Sequence, residues 1–274
     1  MARTVAFLNK KGGVGKTSTV HHLGGTLAKR GLRVLLVDAD PQASLTQGLL
    51  GPEVAEELDP RETIASILDE DGGLPPARLV RPTAFPNLFI LPGSEAAYRT
   101  NLTEPWACPG LQQVALRDAL AEVHESFDLV LIDCPPHPQL WAWNALAAAD
   151  GVVVPVQPED YGAQGLRSIR ETIAHATAAV NPRLTIVGYL VSMYQKALSV
   201  HVTYEGHLRN LHGGDVFEAV IPMAKDYKEA VTFRRPICDH KPKSAAAKAT
   251  AVLADEFLAR LDDRIAADVS RRVA

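Results

Sequence analysis

The sequence predicts an α/β fold: one domain over residues 1–274, with a mostly parallel, twisted sheet and helices on both faces. Three observations predict it. Apolar runs of strand length recur along the chain, segments of helical spacing separate most of them, and the first run leads through a glycine-rich loop into a helix. The runs are Val5–Leu8, Val34–Val37, Leu88–Leu91, Leu129–Ile132, Val152–Val156 and Leu184–Val191. They are continuous rather than alternating, as strands covered on both faces require. The helical segments are Thr17–Arg30, Leu111–His124, Gln164–Val180 and Ser199–Leu211. A last, Ala-rich helix is expected over 244–267, where Phe257, Leu261 and Ile265 form an apolar stripe suited to core packing. Gly51–Pro86 is rich in proline and acidic residues, so short helices such as Thr63–Asp69 joined by loops are expected there. Residues 51–110 are the candidate for a variable lobe or a cover.

Composition narrows the class. Hydrophobic residues make up 47% and charged residues 22%, enough for a substantial core in an ordinary globular protein. The three cysteines, Cys108, Cys134 and Cys238, form no C-x-x-C pair, which fits a reducing compartment and argues against a disulfide framework or cluster site. The first strand begins almost at once, leaving no room for a signal peptide, and no apolar run approaches the roughly 18 residues of a membrane span. A soluble, cytoplasmic protein is expected. The formal net charge is −4, but it is unevenly spread. Lys225–Lys248 carries +4, which leaves −8 for the rest of the chain. A solvated surface strip is the ordinary meaning of such a run; a basic face for nucleic acid is the other.

Lys10–Ser18 reads Lys-Lys-Gly-Gly-Val-Gly-Lys-Thr-Ser and fits the phosphate-loop pattern G-x-x-x-x-G-K-[ST], except that Lys10 replaces the first glycine. Its setting, between the run Thr4–Asn9 and the helix at Thr17, is the strand–loop–helix context the pattern needs. A glycine-rich turn before a helix is the plain alternative. Small residues at Gly12, Gly13 and Gly15, with Val14, let backbone N–H groups close around a polyphosphate, and the helix presents its positive end. Lys16 is placed to pair with the β- and γ-phosphates; Thr17, with Ser18 beside it, is placed to hold Mg²⁺. Lys11 is the surplus cation: Lys16 already serves the chain's own nucleotide.

Two strand ends supply carboxylates, where ligands bind in open α/β sheets. Val37-Asp38-Ala39-Asp40-Pro41-Gln42 places acidic groups beside the loop, unless Asp38 or Asp40 merely caps the next helix. Leu129–Ile132 ends in Asp133, followed by Cys134-Pro135-Pro136. A carboxylate there holds Mg²⁺ directly or through water.

The Lys-Gly-Gly-Val-Gly-Lys-Thr arrangement, with these two carboxylate motifs, closely resembles the deviant phosphate loop of the ParA/MinD family of ATPases, and within it the short ParA/Soj type with no helix-turn-helix before the first strand. The resemblance covers nearly the whole chain and implies a P-loop fold and an ATP hydrolase with ATP and Mg²⁺ as cofactors. It implies that Lys11 crosses a dimer interface to the partner's phosphates, that Asp40 orients the attacking water, and that Asp38 and Asp133 support the metal. Pro155–Tyr161 looks like the family's adenine-pocket segment, which brings in Pro158 and Asp160. Leu190–Tyr194 and Val220–Pro222 resemble later landmarks, although Met193 and Tyr161 also suit a core. DNA-binding members often carry arginines just after the Ile-Pro step, where this chain has Met223 and Asp226. Lys225, Lys228, Arg234 and Arg235 are the substitutes considered.

What the resemblance implies is ATP-driven segregation of chromosome or plasmid DNA: a sandwich homodimer with ATP, nonspecific double-stranded DNA binding, a ParB-type partner that stimulates hydrolysis, and nucleoid association without a membrane. Three other functions share the loop. A MinD-like membrane ATPase needs a basic amphipathic anchor, but Asp255–Ala274 holds five acidic residues and four arginines. A nitrogenase-iron-protein relative needs bridging thiolates, and Cys134 has no clear second. An ATPase that positions a non-DNA cargo uses the same cycle.

Overall fold

A computed structural model of the chain describes residues 2–69, 73–101, 104–159 and 162–273, the side chains of 162–164 and 264–273 excepted. In chain order the elements are β1 (Arg3–Phe7), α1 (Lys16–Lys29), β2 (Val34–Asp38), α2 (Ser44–Leu50), α3 (Pro52–Glu57), α4 (Pro76–Leu79), β3 (Arg81–Pro82) and β4 (Leu88–Leu91). There follow α5 (Gly110–Ala121), β5 (Leu129–Asp133), α6 (Leu140–Ala148), β6 (Gly151–Val156), α7 (Gly162–Ala179), β7 (Thr185–Val191) and α8 (Ser199–His212). The chain closes with α9 (Lys225–Thr232), α10 (Ile237–His240) and α11 (Ala245–Val273).

The seven strands form one sheet in the order β3-β4-β2-β5-β1-β6-β7. Every pairing is parallel except β3 with β4, so the sheet is mostly parallel, as the apolar runs predict. The sequence pattern missed β3, a two-residue edge strand that contains Pro82; it is too short for periodicity, and proline is tolerated only at such an edge. Strand register decides where the site lies. Phe7 and Asp38 are both level with Asp133 on its two sides, so the loop leaving β1 starts beside two strand-end carboxylates.

Alternate residues of the strands feed two cores. Ala6, Leu35, Val37, Val130 and Ile132 face one side, where α5, α6 and α7 pack; Val5, Phe7, Leu36 and Leu131 face α1 and α11 on the other. Trp141 of α6 is fully buried, and its Nε1–H donates to the Ala97 carbonyl at 3.0 Å. Phe257 and Leu261 of α11 are buried, and Phe257 stacks on Phe7 with 6.3 Å between ring centroids. The sheet also sets the spacing of α1. A Cβ on Gly24 would lie 2.6 Å from the Leu36 side chain, so the helix rests closer to β2 than any larger residue would allow.

Between residues 51 and 110, several described side chains and one strand pack onto the sheet. Ile64, Leu68, Leu79 and Ala97 are buried in the first core, and β4 pairs along the whole of Val34–Val37. The helical expectation at Thr63–Asp69 appears as a 3₁₀ helix, Ile64–Leu68, capped by the Thr63 hydroxyl, which accepts from the Ala65 N–H.

Candidate nucleotide site

The loop geometry follows from the glycines. Gly13 and Gly15 take φ values of 76° and 82°, a left-handed backbone that lets successive N–H groups turn inward. Gly15 also caps α1, and no side chain satisfies the first turn of that helix. Free N–H groups and the positive end of the helix dipole therefore face the same cleft, an anion site by construction.

Two residues to which the sequence patterns assign no role of their own, Asn9 and Ser192, brace the loop. Asn9, buried at the end of β1, donates from Nδ2 to the Pro155 carbonyl at 2.6 Å and accepts from the Lys11 N–H at 2.9 Å. The Ser192 hydroxyl, after β7, donates to the Val14 carbonyl at 2.7 Å. The loop is thus tied to β6 and β7 from both flanks. These partners are 146 and 178 residues apart in sequence, beyond the reach of any local pattern.

Lys16 is buried, and its ammonium donates to the Asn9 and Lys11 carbonyls at 3.1 and 3.3 Å. Lys11 behaves differently. Its side chain is half exposed and its ammonium forms an ion pair with Glu159, at the end of β6. A pair this exposed contributes about 1 kcal/mol or less, so little holds the Lys11 side chain in this position.

Asp38 and Asp133 are fully buried. Asp38 Oδ2 accepts from the Thr46 N–H and hydroxyl at 2.8 and 2.7 Å, and the Thr46 hydroxyl accepts from the Gly93 N–H, which ties residues 93–101 to the site. Asp38 Oδ1 and both Asp133 oxygens have no hydrogen-bond partner. Burial, opposed by Thr46 and assisted by the Asp40 charge, raises the Asp38 carboxyl to about 7. Burial, and then the facing Asp38, push Asp133 well above the carboxylate range, while Thr17 and Lys16 pull it back. Orphaned, mutually repelling carboxyl oxygens beside the Thr17 hydroxyl are a donor set suited to a hard cation such as Mg²⁺. Asp40 is half-buried, and its Oδ1 accepts from the Gln42 N–H at 3.0 Å, so it caps the turn as well as facing the site.

A cleft of about 430 Å³ opens beside the loop, and Asp38, Asp133 and Lys11 are not among its lining residues. Gly12, Gly13, Gly15, Lys16, Thr17 and Ser18 line it together with Asp40, and its far wall is Met193, Ile221, Pro222 and Met223. Two late sequence landmarks, Leu190–Tyr194 and Val220–Pro222, therefore meet at the loop. Pro158, buried just after β6 and beside Glu159 in the chain, is not among the lining residues of this cleft. Asp160 and Tyr161 lie outside the described residues.

The basic strip is less free than its charge suggests. Arg235 pairs with Asp239, Lys241 with Asp226 and Glu229, and Lys225 more distantly with Glu229. Arg234 folds over Gly51, where its guanidinium leaves no room for a Cβ. Lys228 is exposed and is also among the residues that line the nucleotide cleft.

A glycine loop opening onto an uncapped helix, with strand-end carboxylates beside it, defines a phosphate-loop nucleotide-binding protein. Residues 2–186 match the model of a family described as an AAA domain. The chromosome-partitioning ATPase Soj of Thermus thermophilus is 38% identical over 95% of this chain and 97% of its own. The chromosome partitioning protein ParA of Caulobacter vibrioides is 35% identical over 96% of each. Cobyrinic acid a,c-diamide synthase from Mycobacterium smegmatis, solved with bound ADP and magnesium, superposes with a TM-score of 0.78 at 29% identity over 96% of each chain. The chain belongs to the ParA/MinD family. Among the described residues no helix is long and apolar enough to cross a membrane.

Proposed function

We propose that this protein is a Mg²⁺-dependent ATP hydrolase that partitions DNA. The observation that carries the reading is the juxtaposition of Lys16 and the uncapped α1 N-terminus with the orphaned Asp38–Asp133 pair. One half of that arrangement wants polyphosphate; the other wants a divalent cation. Relatives named Soj and ParA as chromosome-partitioning proteins support the biological assignment.

In this reading Gly12–Ser18 binds the triphosphate and Lys16 neutralises its terminal phosphates. Thr17 and Asp133 hold the metal ion, with Asp38 in support; when bound, the ion supplies charge neutralisation at the phosphates. Asp40 orients the water. Lys11 leaves Glu159 for the partner's phosphates, so that ATP joins two protomers. Met193, Ile221 and Pro222 form the wall available to the base, and Asp160 remains the polar candidate carried over from the family pattern. Dimerisation brings two basic strips together, with Lys225, Lys228, Arg234 and Arg235 as the DNA contacts, and doubles the phosphate contacts on nonspecific duplex. A ParB-type partner completes the site and triggers hydrolysis, which releases DNA and keeps the cycle on the nucleoid.

The test is retention of the purified chain on nonspecific duplex DNA with ATP, ADP or no nucleotide, at two salt concentrations. Retention is expected with ATP alone, falling steeply with salt; binding that ignores nucleotide would remove the DNA assignment. Asp40→Ala is expected to slow phosphate release by about 10²-fold or more and to trap the ATP-bound dimer, read by single-turnover kinetics with light scattering. Unimpaired release would assign the water to another group.

A further inference from the structure

A second cleft, of about 590 Å³, lies between α7 and α8 and shares no residue with the nucleotide cleft. Its walls are two helical stripes: Leu166, Arg170 and Ala174 on α7, and Tyr204, Leu208 and Leu211 on α8. Spacings of i, i+4, i+8 and i, i+4, i+7 put each set on one face of its helix. Leu166 and Leu208 are buried as the floor, whereas Leu211 is 74% exposed at the rim. Two parallel rows of this kind leave a slot whose natural filler is a third helix, packed ridge into groove over about 12 Å, or two turns.

Charge decides what kind of helix. Arg167 is occupied by Glu171 on its own helix, at 3.0 Å. On α8, Arg209 is held by Glu205 and Glu218. His207 and His212 add no negative charge; outside the lining, the Asp215 carboxylate acts on His212 and Tyr189, as the Arg170 guanidinium does with the opposite sign. Arg170, exposed on the wall, has no hydrogen bond or ion pair among the described residues. The slot therefore offers an apolar floor and an exposed guanidinium with no hydrogen-bonded carboxylate among the described residues, a place a partner's carboxylate would fill.

We propose that this slot receives an amphipathic helix of another protein, its apolar i, i+4, i+7 residues on Leu166, Leu208 and Leu211 and a Glu or Asp on Arg170. Duplex DNA does not fit, because the walls present no row of unpaired cations along an apolar floor. α7 also touches the nucleotide site: Lys10 of the phosphate loop donates to the Ser168 hydroxyl at 2.6 Å, about half a turn before Arg170 and outside the slot's lining. The docking claim stands on the slot alone and does not depend on the DNA assignment.

The probe is a pair of labelled, helix-stabilised peptides of about 15 residues with one leucine stripe, flanked by Glu in one and by Lys in the other. Fluorescence anisotropy with the full chain should show the Glu peptide binding about tenfold tighter than the Lys peptide. Arg170→Glu should abolish or invert that preference, and Leu211→Asp should weaken both peptides by about tenfold or more. Both positions are exposed and outside the phosphate loop, so unchanged ADP affinity and melting temperature verify that each variant is folded. No binding of the Glu peptide up to about 1 mM, equal binding of the two peptides, or binding indifferent to both substitutions would each overturn the proposal.

Discussion

Replacing Lys16 by alanine is expected to abolish nucleotide binding and reduce ATP turnover by about 10³-fold, whereas replacing Lys11 should leave nucleotide binding largely intact and remove the dimer. The two lysines are five residues apart on one loop, and their surroundings assign them different tasks. Lys16 is 6% exposed, and its hydrogen bonds go to two loop carbonyls, partners that an incoming phosphate readily outcompetes. Its ammonium also offsets part of the charge of Asp133, so its loss weakens the anion site and the cation site together. Lys11 has a half-exposed side chain and a surface carboxylate as its partner. Exchanging Glu159 for a neighbour's triphosphate costs little, because a surface pair is worth about 1 kcal/mol or less and a partly desolvated phosphate pair more. Titration of a fluorescent ATP analogue and light scattering separate the outcomes. Nucleotide affinity unchanged in Lys16→Ala would overturn the assignment of the loop, and an ATP dimer of normal affinity in Lys11→Ala would overturn the bridging role.

How much of this the sequence discloses depends on the range over which each feature acts. The phosphate loop is legible because its chemistry lies in consecutive residues, and Asp38 and Asp133 because each ends an apolar strand. That the two carboxylates face each other depends on register, which the parallel pairing of β2 with β5 supplies. Asn9 and Ser192 were hidden because a brace is defined by its distant partner. α6 escaped for another reason: Leu140–Ala147 is buried all round, so its apolar residues show no 3.6-residue period. The strip from Lys225 to Lys248 was legible as charge but not as surface. The Lys225–Glu229 and Arg235–Asp239 pairs are local i,i+4 contacts, but the pairing of Lys241 with Asp226 and Glu229 is a tertiary property, and among the described residues Lys228, Arg234, Lys243 and Lys248 are in no ion pair.

Acidification should expose a second feature of α1, with a contribution to stability of about 3 kcal/mol from His21 alone between pH 6.5 and 4. His21 and His22 are each 1% exposed, their rings 4.7 Å apart, with His22 packed on Tyr227 at 4.9 Å. His22 Nδ1 accepts from the Ile237 N–H at 3.1 Å, and both Nε2 atoms lack a partner. Burial lowers His21 to about 4, and burial with the neighbouring ring lowers His22 well below its ordinary value. The folded chain therefore keeps these rings neutral where the unfolded chain takes up protons, near pH 6.5. With more protons bound by the unfolded state, stability falls as pH drops from about 6.5 toward 4, by roughly 1 kcal/mol per pH unit from His21, and His22 acts in the same direction. Asp38 and Asp133 act in the opposite sense. Their raised values mean that the folded chain holds protons the unfolded chain has released, so they favour folding at the acid end of the same window. Total stability is thus a poor readout, and the comparison must be between wild type and His21→Leu. Urea unfolding from pH 7 to pH 4.5 should show the variant gaining on wild type by roughly 1 kcal/mol for each unit of acidification below 6.5. A difference that stays constant with pH would mean that His21 is protonated in the folded protein, with the packing of α1 against α9 and α10 open enough to admit water.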